Sequence, residues 1–282
     1  MSVPDSRHVL IGGRKLAWRE AGRGPALVFI HGMGGNSRNW ETQYAKFADH
    51  FRVIGWDAPG YGESDDWRSD EPTVADYTAK IRALLDALEV EAAHMVGHSF
   101  GGTLMPAFQK AYPDRVLSMV MAQPVIGSGS LDAEKQSEII AAREKLLRDL
   151  GVEAYARVHA PKSCAATADA VTVAKGVEVT SWTRMKGHLA QWSAMARANI
   201  LDEISENPAP ATVVAGMGDK TASQDVVRRI VEAIQGAQLV KLPDVGHMIY
   251  IEHPERFNAA LEAHLQRVEY PQRGSCSDQA RE

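Results

Sequence analysis

Gly97-His98-Ser99-Phe100-Gly101-Gly102 is the stretch of this chain that decides its fold. An apolar run, residues 93–96, precedes it, and a helix-like run, residues 103–112, follows it. A G-x-S-x-G pattern between a strand and a helix predicts a turn so tight that only glycine fits beside the serine. Such a turn holds the serine hydroxyl above a sheet edge, close to the free N–H groups of the helix N-terminus. The stretch therefore predicts a nucleophilic serine at position 99.

The composition is that of a globular protein, with 282 residues, of which 45% are hydrophobic and 24% are charged. The formal net charge is −5 and there is no basic stripe, so we do not expect nucleic acid as a partner. Cys164 and Cys276 are the only cysteines, which is too few for a disulfide framework. The N-terminus lacks the apolar core of a signal peptide, and no run of about 18 apolar residues occurs. We therefore predict no membrane partner and a cytoplasmic location.

Short apolar runs alternate with helix-like segments in two parts of the chain, which predicts an α/β protein. Residues 26–30 are wholly apolar, as expected of a central strand that is covered on both faces. Residues 73–88 carry apolar side chains at helical spacing. The alternation predicts a mostly parallel, twisted sheet of eight strands flanked by helices, built from residues 1–126 and 208–270.

The alternation stops between these two parts. Residues 127–207 contain no clear strand, and helical patterns cover residues 134–150, 152–158 and 182–204. We predict that this segment is a helical cap over the edge of the sheet where α/β proteins bind ligands. We expect the polar residues 271–282 to form a disordered tail.

Four further motifs follow strand-like runs and support the prediction made from the glycine-flanked serine. They are His31-Gly32-Met33-Gly34-Gly35, the segment 57–64, Gly216-Met217-Gly218-Asp219 and Gly246-His247. Together with residues 97–102, this set closely resembles the α/β-hydrolase fold family over about residues 9–268. The resemblance implies the α/β-hydrolase fold with an inserted helical cap.

The chain order of Ser99, Asp219 and His247 matches the order of nucleophile, acid and base in that family. A serine hydroxyl needs a base to remove its proton, and a carboxylate can orient that base. The family resemblance further implies that the backbone N–H groups of Met33 and Phe100 form the oxyanion hole.

The position of the acid leaves an alternative. Some relatives carry it after the sixth strand, but here residues 123–128 contain no carboxylate, which favours Asp219. A solvated turn carboxylate remains the other interpretation of Asp219. Asp244 lies too close to His247 in the sequence to be preferred.

A substrate pocket is predicted between the cap and the sheet. The predicted lining consists of large side chains from the cap and from the loops next to the catalytic motifs: Trp40, Trp182, Met185, His188, Trp192 and Met248. The cap members recur every three to four residues, so several share one face of a helix. That face serves either as an apolar lid over the substrate or as packing between cap and core.

The leading functional prediction is a serine hydrolase that cleaves a carboxylic ester or lactone of a small to medium, partly apolar substrate through an acyl-enzyme on Ser99. Resemblance within the family leaves open carbon–carbon hydrolysis of aromatic meta-cleavage products. Such enzymes often have a tryptophan after the catalytic histidine, where this chain has Met248, and a cap arginine, for which Arg184 is a candidate. A cofactor-free oxygenase or perhydrolase and a ligand-binding module remain further alternatives.

Other enzyme classes lack their sequence signals. Position 99 is not the nucleophilic aspartate of epoxide hydrolases and haloalkane dehalogenases, and no G-x-G-x-x-G follows the first strand. No H-E-x-x-H or comparable ligand cluster occurs. We therefore predict no cofactor and no metal, a small-molecule substrate as the partner, and leave a homodimer open.

Overall fold

An eight-stranded sheet forms the centre of the computed structural model, which describes residues 2–269. The strands are β1 (Ser6–Ile11), β2 (Arg14–Ala21), β3 (Ala26–Ile30), β4 (Arg52–Trp56), β5 (Ala93–His98), β6 (Val116–Ala122), β7 (Ala211–Gly216) and β8 (Gln238–Leu242). Their spatial order is β1-β2-β4-β3-β5-β6-β7-β8. β2 pairs antiparallel with β1 and β4, and all other neighbouring pairs are parallel. The predicted α/β-hydrolase sheet is confirmed.

The central strands bury both of their faces, as the apolar run at residues 26–30 predicts. Along β3, Val28 and Ile30 join the hydrophobic cluster on one side of the sheet. Leu27 and Phe29 join the cluster on the other side. This alternation follows from the two-residue period of a strand, and it places helices on both faces of the sheet.

Two groups of helices cover the sheet. The helices of the core are α1 (Glu41–Phe47), α2 (Val74–Ala87), α3 (Phe100–Ala111), α7 (Gln224–Ala233), α8 (Ile249–Glu252) and α9 (Pro254–Glu269). α2, α3 and α7 supply apolar side chains to one cluster, and α1, α8 and α9 supply them to the other. Thr73 starts α2 with a capping box that it forms with Asp76.

Three helices occupy the segment between β6 and β7. They are α4 (Ala133–Ser163), α5 (Ala170–Ser181) and α6 (Met185–Arg197), and α4 packs against both of the others. α4 is interrupted at Gly151, whose φ of 72° and ψ of 165° are not helical. It therefore consists of two helical stretches that meet at a kink, as the separate helical patterns at residues 134–150 and 152–158 predict. We refer to α4–α6 as the cap helices.

The cap helices differ from the sequence expectation in one respect. The helix predicted over residues 182–204 is shorter, because Trp182 caps α5 and α6 ends at Arg197. The tail expected over residues 271–282 lies outside the described residues. Among residues 2–269, no helix combines the length and apolar character needed to cross a membrane.

Candidate active site

Ser99 lies on a strained turn between β5 and α3. Its φ of 52° and ψ of −118° are unusual for any residue other than glycine. A Cβ atom added at Gly97 would lie 2.4 Å from the Gly101 carbonyl oxygen, and one at Gly101 would lie 2.1 Å from the Ile30 carbonyl oxygen. Glycine at both positions is therefore a steric requirement of the turn, as predicted from the sequence.

Ser99, His247 and Asp219 form a continuous hydrogen-bonded chain. The distance from His247 Nε2 to Ser99 Oγ is 2.9 Å, and that from His247 Nδ1 to Asp219 Oδ2 is 2.7 Å. A carboxylate only accepts hydrogen bonds, so Nδ1 carries the imidazole proton and the Nε2 lone pair faces the serine hydroxyl. The Asp219 side chain is fully buried, and its second oxygen accepts a hydrogen bond from the Thr221 N–H at 2.6 Å.

The position of the acid follows from this geometry. Asp219, which follows β7, makes the contact with His247. At the end of β6, Gln123 has a positive φ of 50° and donates from Nε2 to the Gly246 carbonyl oxygen at 2.7 Å. Some relatives carry the acid at the end of this strand, but here an amide supports the backbone of the loop that carries His247. We call this loop, residues 243–248 between β8 and α8, the histidine loop.

The histidine loop is also held by Glu252, which sequence reasoning did not identify. Its carboxylate accepts hydrogen bonds from the N–H groups of Gly246 at 2.9 Å and Met248 at 3.1 Å, one on each side of His247. It also accepts one from the Ala165 N–H of the cap segment at 2.8 Å. Glu252 thus joins the histidine loop to the cap. The sequence does carry a sign of this role, because Glu252 is a carboxylate at the end of the short helix α8, which begins two residues after His247.

His98 supports the same loop from below. Its Nε2 donates to the His247 carbonyl oxygen at 2.8 Å. Burial lowers the pKa of His98 to about 3, so the ring is neutral at physiological pH. His98 thus holds the backbone of His247 from the turn that carries Ser99.

The two residues predicted to supply the oxyanion donors adjoin the Ser99 site, since Phe100 follows Ser99 in the chain and Met33 lines the same cavity. Phe100 is the first residue of α3, so its N–H has no carbonyl one turn earlier to bond. Met33 follows Gly32, at which an added Cβ would come within 2.8 Å of Ser99 Cβ. His31 steadies this loop, since its Nε2 accepts from the Ala58 N–H at 3.0 Å and burial lowers its pKa. Two N–H groups beside a serine hydroxyl can stabilise the oxyanion that forms when the serine attacks a carbonyl.

A cavity of about 410 Å³ opens above Ser99 and His247 and extends beneath the cap helices. Its lining is mostly apolar but contains several polar side chains. The lining residues are Met33, Gly34, His98, Ser99, Val125, Ile126, Gly127, Ser128, Arg143, Tyr155, His159, Ser163, Val179, Thr180, His188, Trp192, Met195, Thr221, Val226, His247, Met248 and Tyr250. Of the six side chains predicted to line a pocket, it includes His188, Trp192 and Met248.

The other three predicted pocket residues lie elsewhere. Trp40 is fully buried in the core, with its ring centroid 4.9 Å from that of Phe29. Trp182 packs under the Arg38 guanidinium at 4.2 Å, in a separate groove. Met185 lies in another depression, which Leu189 and Ser193 also line. Met185, Leu189 and Ser193 are four residues apart on α6, so they share one face of this helix. His188, Trp192 and Met195 lie on a different face, which lines the cavity.

The cavity contains one arginine that sequence reasoning missed. Arg143 on α4 donates from Nη1 to the Tyr155 hydroxyl and, at 3.4 Å, to His188 Nε2. Its guanidinium lies 3.7 Å above the Trp192 ring. The sequence indicates its direction only through Leu147, which lies four residues later on the same helix and is buried. Residues four apart share one face of a helix, so Arg143 also faces inward.

Arg184, the arginine considered for the cavity, has a structural role. Its guanidinium donates to the Gly60 carbonyl oxygen at 3.0 Å and to the Ser64 carbonyl oxygen, and pairs with Asp66 at 3.0 Å. It thus connects the start of α6 to the loop after β4. Within residues 2–269, no cluster of three or more His, Cys, Asp or Glu side chains is arranged to hold a metal ion.

Comparison with known proteins agrees with this fold. The family model described as the alpha/beta hydrolase fold matches residues 25–254. A 2-hydroxy-6-oxononadienedioate/2-hydroxy-6-oxononatrienedioate hydrolase of Paraburkholderia phymatum is 31% identical over 271 residues, which cover 90% of this chain and 92% of the relative.

Solved structures show the same similarity. The enol-lactonase from Burkholderia xenovorans superposes with a TM-score of 0.81 at 26% identity, covering 92% of this chain and 100% of that one. A thermophilic esterase from Thermogutta terrifontis shares the fold with a TM-score of 0.84 at 23% identity, covering 94% and 99%. The chain belongs to the α/β hydrolase fold family. It is an enzyme with hydrolase activity.

Proposed function

We propose that this protein is a serine hydrolase that cleaves a carboxylic ester or lactone of a small substrate through an acyl-enzyme on Ser99. The observation that carries the proposal is the hydrogen-bonded chain from Asp219 through His247 to Ser99. It supplies a nucleophile, a base in the required tautomer and a buried carboxylate that holds the base.

The reaction follows from this arrangement. Ser99 Oγ attacks the acyl carbon while His247 Nε2 takes its proton, and Asp219 stabilises the imidazolium that results. The N–H groups of Met33 and Phe100 bind the oxyanion, and each such donor lowers the barrier by about 3–4 kcal/mol. His247 then protonates the leaving alcohol, and the acyl-enzyme forms. Water, deprotonated by the same histidine, releases the acid and restores Ser99.

The cavity supports a small-molecule substrate. Its volume of about 410 Å³ is near the lower end of the range for ligand pockets. Apolar side chains such as Val179, Trp192 and Met248 suit a partly apolar acyl or lactone group. The similarity to a protein described as an enol-lactonase is consistent with this substrate class.

The decisive experiment uses a fluorophosphonate probe and a panel of nitrophenyl esters and lactones. We expect the wild type to be labelled and to turn over at least one ester or lactone, and Ser99→Ala to lose both properties. Ser137→Ala is the matched control, because Ser137 lies exposed on α4 and bonds only its own helix in the described chain. Full activity in Ser99→Ala would refute the mechanism.

Carbon–carbon hydrolysis is the second candidate function. It is favoured by the relative named a 2-hydroxy-6-oxononadienedioate/2-hydroxy-6-oxononatrienedioate hydrolase, which matches nearly the full chain. Met248 after the histidine and the placement of Arg184 outside the cavity argue for the ester or lactone instead. Loss of the colour of ring-cleavage dienoates, without turnover of esters or lactones, would make carbon–carbon hydrolysis the preferred function.

A further inference from the structure

In the part of the chain that the structure describes, Arg143 has no carboxylate partner, and it lines the candidate active-site cavity. The described lining residues include no Asp or Glu and no other Arg or Lys. The side chains around its guanidinium are Tyr155, His188 and Trp192. A half-buried guanidinium surrounded by neutral groups loses part of its hydration without gaining an ion pair.

The neighbouring histidines do not share the positive charge. Burial, together with the nearby charge of Arg143, lowers the pKa of His188 to about 3 and that of His159 to about 4. His188 Nε2 accepts from Arg143, which requires an unprotonated nitrogen. Both rings are therefore neutral at physiological pH and add no positive charge beside Arg143.

The contacts of Arg143 leave one edge of the guanidinium open. Both protein hydrogen bonds come from Nη1, and the flat face is stacked on Trp192, whose Nε1 is itself held by the Ile139 carbonyl oxygen at 3.1 Å. Nε and Nη2 donate no hydrogen bond to the chain within residues 2–269. Together they form the planar pair of donors that binds a carboxylate through two parallel hydrogen bonds.

We propose that Arg143 is a specificity-determining residue that binds a carboxylate group of the substrate, so that the preferred substrate is an ester or lactone that also carries a free carboxylate. This inference rests on the proposed function of Ser99. The same carboxylate chemistry fits either the acyl part or the leaving group of the substrate. The anion would neutralise the charge of Arg143 and fix the orientation of the substrate in the cavity.

The test compares matched pairs of esters that differ only in a carboxylate. On the acyl side, 4-nitrophenyl hydrogen glutarate is compared with 4-nitrophenyl valerate, and on the leaving-group side 4-carboxyphenyl acetate is compared with phenyl acetate. In one of the pairs, we expect the wild type to prefer the charged member by about 10–100-fold in kcat/KM, the range for a hydrogen bond to a charged group.

Arg143→Gln should abolish that preference, because it removes the charge and the paired donors that only the charged member of the pair can use. Arg143→Lys keeps the charge but not the paired donors, so it should retain only part of the preference. Arg148→Gln is the control, because Arg148 lies on the same helix and its exposed side chain pairs with Glu144. It should leave the preference unchanged.

Binding without turnover provides an independent measurement. Glutarate should raise the melting temperature of Ser99→Ala but not that of Ser99→Ala/Arg143→Gln, and circular dichroism establishes that both variants are folded. Equal kcat/KM for both members of both pairs in the wild type, or an unchanged preference in a folded Arg143→Gln, would overturn the inference. Absence of turnover of every ester and lactone, together with no fluorophosphonate labelling of Ser99, would instead refute the proposed function, and the glutarate measurement would still decide the role of Arg143.

Discussion

Glu252→Gln is the substitution that most directly tests how the catalytic histidine is held. The carboxylate accepts three backbone N–H groups, those of Ala165, Gly246 and Met248, at 2.8, 2.9 and 3.1 Å. Glutamine has a single acceptor oxygen, so at least one of the three N–H groups must face an amide NH₂. The remaining hydrogen bonds lose the contribution of a charged acceptor.

The expected magnitude follows from these contacts. A buried N–H group without an acceptor costs about 1–3 kcal/mol, and a neutral acceptor is about 1 kcal/mol weaker than a charged one. Glu252 is only half-buried, so we use the lower end of the range for the N–H group that loses its acceptor and add the weakening of the two remaining hydrogen bonds. The free energy of unfolding should therefore fall by about 2–3 kcal/mol. A shift of the histidine loop relative to Ser99 should lower kcat by about 10–100-fold and leave KM nearly unchanged.

The assay pairs urea denaturation with ester turnover at a temperature at which all variants are folded. Glu255→Gln is the control, since that side chain is 70% exposed and contacts only His253 in the described chain. It should match the wild type in stability and in kcat. Wild-type stability together with wild-type kcat in Glu252→Gln would show that the three hydrogen bonds do not position His247.

Three further changes test other parts of the structure. Asp219→Asn should lower kcat by about 10⁴-fold with little loss of stability, because an amide no longer holds His247 in the reactive tautomer, and steady-state kinetics would detect this. Gly101→Ala should prevent folding or reduce the melting temperature sharply, because the added Cβ would lie 2.1 Å from the Ile30 carbonyl oxygen. Gly176→Ala is the control and should be tolerated, because its Cβ would lie 2.9 Å from the sulfur of the flexible Met248 side chain. Urea denaturation should show stability falling as the pH drops from 6.5 towards 5, by about 1.4 kcal/mol per pH unit for each buried neutral histidine, because the unfolded chain binds the proton that the folded chain excludes. The full slope applies to the histidines whose pKa burial lowers to about 3 or 4, namely His98, His159, His188 and His264, and His31 and His94, whose pKa burial also lowers, contribute in the same direction. A flat or opposite profile would contradict this assignment.

The core of the fold was predictable from the sequence because its determinants are local. The apolar run of β3 and the glycines around Ser99 specify a buried strand and a tight turn without reference to distant residues. The strand-end positions of Ser99, Asp219 and His247 also bring them to one edge of a parallel sheet, since the carboxyl ends of such strands lie together.

The cap was much less predictable. Trp182 and Met185 were expected in the cavity on helical spacing alone, but spacing identifies which residues share a face and not what that face meets. The kink at Gly151 and the end of α5 at Trp182 set the directions of the cap helices. Those directions depend on packing between segments far apart in the chain, as does the core position of Trp40.

The sequence by itself determined the fold family, the strained turn at Ser99 and the chain order of the three candidate catalytic residues. These features depend on backbone sterics and on the period of hydrophobic residues, which short stretches of sequence specify. Only the tertiary structure decided that Asp219 contacts His247, that Gln123 and Glu252 hold the histidine loop, and that Arg143 rather than Arg184 lies in the cavity. Asp219 and Gln123 reach the loop of His247 from the ends of other strands, Glu252 reaches it from the following helix, and Arg143 reaches the cavity from the cap. These contacts depend on how the elements pack in three dimensions, which no single stretch of sequence specifies.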